Sequence, residues 1–285
     1  MKTYHECLPC FVKQALKALP RIEEKYHEAI MRDVMLSLSN IDFSISPPMM
    51  AKIIFELLRK HAGDIDFYAE IKRKSNRYIL DMEDELRTLI NKSSDPFETA
   101  LRLAVGGNVI DFGANHNFSD ELIHEEMDKV LSEVFFSFEI EKLKEEIKKA
   151  DKILYLADNA GEIVFDKLFL ELLPTEKITL AVRGRPIIND VLREDAEMVG
   201  ITDLVPVVDN GAAVPGTALT ECSEEFRKIF DKADLIIAKG QGNYETLSNV
   251  AHNIFFLLKV KCSVIARDVG CKAGDFIVSA SQNIA

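Results

Sequence analysis

The sequence predicts an α/β protein in which a helical N-terminal part is followed by a doubly wound, mostly parallel sheet. Three observations support this. The chain has 285 residues, a length typical of about two domains. Up to about residue 150 nearly every segment has the apolar period of a helix. After Asp151, short aliphatic segments alternate with helical ones, as in buried parallel strands and their crossover helices. We therefore predict a helical domain or cap over residues 1–150 and an α/β domain over 151–285.

The helical part is divided by turn and cap residues. Pro47-Pro48 interrupts the pattern, Gly63 is typical of a helix stop, and Asp95-Pro96 has an N-cap followed by proline at the first helical position. Ser119 is the predicted cap of a further helix. The periodic segments are Cys10–Leu19, Glu24–Leu38, Met49–His61, Phe67–Asn91, the segment after Asp95, the segment after Ser119, and Glu139–Ala150.

The second part alternates between two kinds of segment. The predicted strands are Ile153–Ala157, Ile178–Val182, Leu204–Val208, Leu235–Ala238 and Ser263–Ala266, with a last edge strand over Asp275–Ser279. The predicted helices between them are Glu162–Leu173, Ile187–Val199, Ser223–Lys232 and Thr246–Leu258. This order is typical of repeated strand, loop and helix units.

Composition excludes several classes of function. A net charge of -12 and a pI near 5.1 argue against nucleic-acid partners and anionic membrane surfaces, which favour basic proteins. No apolar run reaches the roughly 20 residues that span a bilayer, and Met1–Cys7 lacks the apolar segment of a signal peptide. Five scattered cysteines form no disulfide framework. We expect a cytoplasmic protein; its oligomeric state is left open.

A candidate metal site follows the first predicted strand. Asp158 and Asn159 come directly after an apolar run, where the carboxyl ends of parallel strands gather ligand-binding loops. Both residue types also cap helices well, and taken alone the pair favours a cap slightly. Ala160-Gly161 after the pair and a third oxygen donor at Asp190 favour a divalent metal, although Asp190 could also serve a helix N-terminus.

A candidate phosphate site follows the fourth predicted strand. Lys239 ends that strand, and Gly240 and Gly242 allow a backbone to approach an oxyanion closely. A lysine at such a position is more often solvated. The spacing is not that of a P-loop, and no segment has the three spaced glycines of a dinucleotide fingerprint. Arg183 and Arg185, after the second strand, are further candidates for phosphate contact.

Two other motifs have a functional and an ordinary explanation. Gly106–Gly113 interrupts the helical part and is either a capped helix end or a loop that supplies Asn108 and Asp111 to a substrate. Cys7 and Cys10 form a single CxxC, which provides at most two of four metal ligands. A second metal or a redox role at Cys7 and Cys10 needs further ligands from elsewhere in the fold.

Taken together, these motifs resemble the metal-dependent damage-control phosphatases, long known as domain of unknown function 89. The resemblance covers nearly the whole chain and is carried by the order and spacing of its motifs, with the CxxC similar to the prokaryotic branch. The matching motifs are Asp158–Glu162, Arg183-Gly184 before Asn189–Val191, Lys239–Asn243, Gly107-Asn108 to Asp111, and Cys7–Cys10.

The resemblance implies a Rossmann-like three-layer α/β/α domain under the helical part. It implies a divalent metal (Mg, Mn, Co or Ni) held by Asp158, Asn159 and Asp190, with Asp158 and Lys239 as catalytic residues. Asp158 would hold the metal, attack phosphorus, or do both. The implied substrate-binding residues are Asn108, Asp111, Glu162, Arg183, Gly240 and Asn243.

The predicted activity is divalent-metal-dependent hydrolysis of phosphate esters of small metabolites, such as damaged or overflow sugar phosphates. The alternatives are an S-adenosylmethionine-dependent carboxyl methyltransferase, an activity assigned to a eukaryotic relative, and a non-catalytic metabolite-binding protein. Binding of S-adenosylmethionine without a metal requirement would favour the first alternative. The Asp-Asn-Ala-Gly-Glu sequence after the first strand argues against it, because a nucleoside site there favours a glycine-rich loop.

Overall fold

The computed structural model describes residues 1–107 and 120–281. Thirteen α-helices lie in this part of the chain. They are α1 (Leu8–Ala18), α2 (His27–Ser39), α3 (Pro47–Ala62), α4 (Ala69–Asp81), α5 (Glu83–Lys92), α6 (Pro96–Gly106), α7 (Asp120–Ser132), α8 (Ile140–Lys149), α9 (Glu162–Leu170), α10 (Arg193–Met198), α11 (Glu224–Asp231), α12 (Gly240–Leu247) and α13 (Ser263–Val269). The helix stops and starts predicted from Gly63 and Asp95 are confirmed, and the Asp95 side chain accepts a hydrogen bond from the amide of Glu98.

Seven strands form one mostly parallel sheet in the order β1-β7-β6-β5-β2-β3-β4. They are β1 (Ser137–Phe138), β2 (Ile153–Leu156), β3 (Ile178–Val182), β4 (Val207–Asp209), β5 (Leu235–Lys239), β6 (Ile254–Lys259) and β7 (Phe276–Ala280). All neighbouring pairs are parallel except β6 and β7. From the central strand β2 the chain moves outward through β3 and β4, then returns to β5 on the other side. This reversal of direction between β2 and β5 creates a crevice at their carboxyl ends, where open α/β sheets bind ligands.

One predicted strand was wrong, and with it the helix before it. Residues 263–266 lie in helix α13, and the strand is β6, Ile254–Lys259, which was predicted as the end of a helix. Ile254–Leu258 is an uninterrupted apolar run with all five residues buried, and such a run does not distinguish a central strand from a buried helix by its period. Arg267 and Asp268, which come directly after the predicted strand Ser263–Ala266, therefore lie within α13 and do not follow a strand.

Three smaller differences concern element boundaries. The long segment predicted from Phe67 to Asn91 is two helices, which meet at Met82. Of the predicted helix Ile187–Val199 only Arg193–Met198 is helical. Strand β7 is not at the edge of the sheet, because Ser137 and Phe138 pair with it in parallel and take the edge position.

Hydrophobic packing covers both faces of the sheet. One cluster joins helices α4 to α9 to the sheet through residues such as Phe169, Ile237 and Phe276. A second cluster covers the other face with α11 to α13. The first three helices have their own cluster, which reaches the sheet part at Ile187 and Val264. The division at residue 150 stays a prediction; within the described chain no helix is long and apolar enough to cross a membrane.

Candidate active site

The first candidate ligands lie in a tight turn at the carboxyl end of β2. Asp158 and Asn159 follow the strand, Gly161 has a φ of 82°, and Glu162 begins α9. A φ in this range favours glycine, which allows the chain to reverse into the helix within three residues. The amide nitrogen of Asn159 donates to Asp158 Oδ2 at 2.6 Å and to Glu162 Oε2 at 3.2 Å. Within residues 1–107 and 120–281 no hydrogen bond to the side-chain Oδ1 of Asn159 is present, which leaves that oxygen as a ligand candidate.

The third candidate ligand is brought to the same turn by backbone hydrogen bonds. Asn159 and Asp190 form an isolated antiparallel bridge, and the amide of Val191 donates to the carbonyl of Asp158 at 2.9 Å. The segment that carries Asp190 is strained, since Ile188 has a φ of 44°. Such strain in a β-branched residue is characteristic of functional sites. The three residues that sequence reasoning grouped together therefore lie side by side.

Six ionisable side chains around this turn are almost completely buried. They are Asp158, Glu162, Asp166, Asp190, Arg183 and Lys239, with exposures of 0–7%. If all are ionised, four carboxylates face two cations, and this buried group has an excess of two negative charges. Buried charge of one sign is costly without compensation. One divalent cation at the turn would balance it.

Burial raises the pKa values of two of these carboxylates. Burial, together with the nearby charges of Glu162 and Asp190, raises the pKa of Asp158 to about 7. Burial also raises the pKa of Asp190, although Arg183 opposes that shift. The guanidinium of Arg183 donates from Nε to Asp190 Oδ2 at 2.7 Å, and its Nη2 lies 3.9 Å from Asp158 Oδ1. The buried Arg183 side chain thus holds the Asp190 carboxylate in place.

The donor set fits a hard divalent cation. Two aspartate carboxylates and one amide oxygen are ligands that Mg²⁺ and Mn²⁺ accept, with waters and substrate oxygens completing the shell. Within the described chain, no three His, Cys, Asp or Glu side chains converge as a metal site by themselves. The predicted set contains only two such residues, Asp158 and Asp190, because its third member is Asn159.

Lys239 lies at the centre of a second buried group. Its Nζ donates to Glu162 Oε1 at 2.7 Å, to Asp166 Oδ1 at 2.5 Å and to the carbonyl of Ala104 at 2.7 Å. Burial would lower the pKa of this amine, but the carboxylates of Asp166 and Glu162 outweigh that effect and raise the pKa above its usual range. Here Lys239 orients Glu162, which in turn accepts from Asn159. Its contact with phosphate stays a prediction and would require the amine to exchange a partner.

The other two residues predicted from this motif also support the turn. A side chain at Gly240, which has a φ of 75°, would place its Cβ 1.9 Å from Asp158 Oδ2. Asn243 is fully buried and donates to the carbonyl of Lys239 at 2.8 Å, while its Oδ1 accepts from Thr217. Substrate contact by Gly240 and Asn243 stays a prediction. In this structure Gly240 makes room for the Asp158 carboxylate.

Replacement of Gly240 by alanine is expected to lower kcat/KM about 100-fold. The new methyl group would collide with the carboxylate of Asp158, the predicted metal ligand, and a misplacement of about 1 Å in an active site costs on that order. The matched control is Gly270→Ala, since Gly270 has a similar φ of 84° but no atom within 4 Å of the position that a Cβ would take. Steady-state kinetics and thermal unfolding of both variants separate the collision from the shared cost of a positive φ. Equal kinetic effects in the two variants would contradict this explanation.

An open cleft of about 270 Å³ lies over the turn. Its lining includes Asp158, Asn159 and Asp190, and further residues of the predicted loops, namely Ile188, Asn189, Gln241 and Glu245. Sequence reasoning missed the other lining residues Gln14, Lys17, Tyr68, Pro215 and Lys261. Lys261 follows β6, so recognition of that strand would have pointed to it. Lys17 and Gln14 come from α1, and no local signal marks them. Burial raises the pKa of Glu245 to about 7.

Hydrogen bonds link helix α4 to both segments that carry the candidate metal ligands. Asn76 Oδ1 accepts from the amide of Gly161 at 2.6 Å, and its Nδ2 donates to Asp195 Oδ1 at 2.9 Å. Asp195 Oδ2 accepts from the amide of Leu192 at 2.9 Å and from Lys72 Nζ at 3.2 Å. Asn76, Lys72 and Asp195 are at most 2% exposed. One buried network therefore fixes the turn after β2 and the segment that follows Asp190.

The remaining predicted residues lie elsewhere. Asn108 and Asp111 fall outside the described residues, although Gly107 just before them lines the cleft. Cys7 is buried and Cys10 exposed at the start of α1, and both are free thiols. They line a neighbouring cleft together with Cys262.

Comparison with known proteins gives consistent matches over nearly the whole chain. The model of the damage-control phosphatase ARMT1-like domain matches residues 3–277. The damage-control phosphatase PH1575 of Pyrococcus horikoshii is 35% identical over 284 residues, which cover 97% of each chain. A damage-control phosphatase of Archaeoglobus fulgidus is 36% identical over 229 residues, covering 79% of this chain and 77% of the relative. The uncharacterized protein MJ0202 of Methanocaldococcus jannaschii is 33% identical over 292 residues, covering 98% and 95%.

A solved structure has the same fold. The crystal structure of a DUF89 family protein from Pyrococcus horikoshii superposes with a TM-score of 0.88 and 34% sequence identity. The superposition covers 99% of this chain and 100% of that one.

Proposed function

Because the chain belongs to the damage-control phosphatase ARMT1-like family and is a phosphatase, we propose that it hydrolyses phosphate esters of small metabolites. The proposed reaction uses a divalent metal held by Asp158, Asn159 and Asp190. The observation that carries this proposal is the meeting of these three oxygen donors beside a buried excess of two negative charges. A divalent cation satisfies both the donor set and the charge.

A bound divalent metal would act as a Lewis acid on a phosphoryl oxygen. The chain's own residues supply position and charge. Arg183 fixes Asp190 through its Nε, and Glu162 and Lys239 fix Asn159, so the ligands are ordered before substrate arrives. In the net reaction the oxygen of water forms a bond to phosphorus, the ester P–O bond breaks, and the alcohol leaves with a proton.

Two further residues of the cleft can supply a proton and a positive charge. Glu245 lines the cleft, and burial raises its pKa to about 7, so it can donate a proton to the leaving alcohol near neutral pH. Lys261 lines the same cleft, and its positive charge offsets part of the rise in the pKa of Asp158. Its ammonium group is placed to offset the negative charge of the phosphate.

The substrate is proposed to be a small phosphorylated metabolite in the cytoplasm. All five cysteines are free thiols, which is typical of a reducing compartment. Mg²⁺, Mn²⁺, Co²⁺ and Ni²⁺ are the candidate metals, since oxygen-rich sites accept several of them.

Metal removal provides the direct test. The chelated protein is expected to lose turnover of p-nitrophenyl phosphate by at least about 100-fold and to regain it on addition of Mn²⁺, Co²⁺, Ni²⁺ or Mg²⁺. Release of inorganic phosphate across a metal titration measures this. Turnover that persists at full strength after exhaustive chelation would contradict the proposed metal site, and calorimetric binding of the metal alone provides a readout independent of activity.

A further inference from the structure

The cleft over the ligand turn, here called the active cleft, borders a second cleft of about 240 Å³. Five residues line both: Gln14, Pro215, Gln241, Glu245 and Lys261. These residues form a neck, with the ligand-bearing turn on one side and the second cleft on the other. A molecule that extends past these shared residues would enter the second cleft.

The two clefts differ in chemical character. The active cleft is lined by carboxylates, amides and two lysines, as a phosphate and metal site requires. Beyond the neck, the wall is formed mainly by apolar side chains and thiols. They include Cys7, Cys10, Phe11, Ala51, Cys262 and Val264, and the polar exceptions are Glu6 and Ser263. Phe11, Ala51 and Val264 are at most 5% exposed, so this wall is part of the packed N-terminal core. The second cleft offers apolar contact and few hydrogen bonds.

We propose that the second cleft binds the alcohol portion of the substrate, and that this alcohol has an extended, largely apolar carbon skeleton. The inference rests on the proposed function, because the phosphate bound at the turn fixes where the alcohol begins. The ester oxygen then lies towards the neck, beside Glu245 and Lys261. Carbon atoms beyond it enter the apolar cleft, whereas a compact sugar phosphate would leave that cleft to water.

Continuity with the active cleft favours this occupant over a metal ion. Three thiols line the second cleft, but in the described residues they do not converge on a common point with the geometry of a metal site. Burial also raises the pKa values of Cys7 and Cys10, which favours the neutral thiols over the thiolates that bind metals. Neutral thiols behave as small apolar side chains and suit an apolar ligand.

A series of monoalkyl phosphates tests the proposal in the metal-loaded protein. Burial of each methylene favours binding by about fourfold, so kcat/KM is expected to rise about 200-fold from ethyl to hexyl phosphate, which differ by four methylenes. Hexyl phosphate should also exceed glucose 6-phosphate as a substrate. A flat or falling series would overturn the inference.

Variants then locate the effect. Cys10→Trp adds an indole to an exposed position of the second cleft and is expected to lower the hexyl-to-ethyl ratio at least tenfold. Lys13→Trp is the matched control, because Lys13 is exposed on the same helix and lines neither cleft. Ser263→Trp, from a different wall, should act like Cys10→Trp. An unchanged ratio in both cleft variants would overturn the inference.

Binding separates this inference from the proposed function. Hexylphosphonate, which cannot be hydrolysed at its P–C bond, is expected to bind more tightly than ethylphosphonate in calorimetry, with the difference lost in Cys10→Trp. If that pattern holds while no ester is hydrolysed with any metal, the proposed function fails and the inference about the second cleft stands. If esters are hydrolysed without chain-length dependence, the proposed function stands and the inference fails.

Discussion

Replacement of Asp158 by asparagine is expected to lower kcat/KM by at least about 10³-fold. The substitution keeps the shape of the side chain but removes a negative charge from the predicted metal ligand, and loss of one such electrostatic contact costs on that order. Apparent affinity for Mn²⁺ should fall as well. Phosphate release across a metal titration measures both effects.

The matched control is Asp209→Asn. Asp209 also ends a strand of the sheet, but it is exposed and does not line the cleft. Its variant should retain the kinetics of the parent protein. If Asp158→Asn keeps metal-dependent turnover, the proposed ligand set is incorrect.

Replacement of Lys239 by methionine is expected to reduce the free energy of unfolding by about 3–5 kcal/mol. Removal of one partner from a buried ion pair leaves uncompensated charge in the interior, and here two carboxylates, Glu162 and Asp166, lose their shared cation. Urea denaturation measured by circular dichroism checks this value. Activity should fall too, because Asn159 loses its oriented partner.

A second substitution distinguishes lost charge from lost packing. The double variant Lys239→Met with Asp166→Asn has one fewer buried negative charge and should recover part of the stability lost in Lys239→Met. Lys228→Met is the surface control, since its ion pair with Glu224 is largely exposed and contributes little. A double variant less stable than Lys239→Met would contradict the electrostatic explanation.

Most of the fold could be predicted because its signals are local. Caps and breakers such as Gly63 and Asp95 act within one helical turn, and alternating strands and helices indicate a parallel sheet. The exchange between β6 and α13 shows where local signals fail. Both segments are short apolar runs, and which of them enters the sheet depends on pairing with β5 and β7, which the sequence of the run does not encode.

The candidate site was predicted unevenly for a related reason. Asp158, Asn159 and Asp190 were predicted to meet because they lie in loops after strands, and the structure places Asn159 beside Asp190. The phosphatase activity predicted from the family motifs is confirmed by the family match. Lys17 and Gln14 reach the cleft from α1, which is far away in the sequence from Asp158 and the strand before it. No spacing rule links residues across that separation. Only the tertiary structure shows which polar residues line a cleft formed by segments far apart in the sequence.

The buried network of Lys72, Asn76 and Asp195 makes the two parts of the chain dependent on each other. A fragment that began at residue 151 would retain Asp158, Asn159 and Asp190, yet the amide of Gly161 and the carboxylate of Asp195 would lose their partners on α4. Its ligand turn would then no longer be preorganised. The sheet part therefore cannot be transplanted as an independent module that carries the proposed metal site. Loss of α4 would disrupt that site without removing any of its proposed ligands.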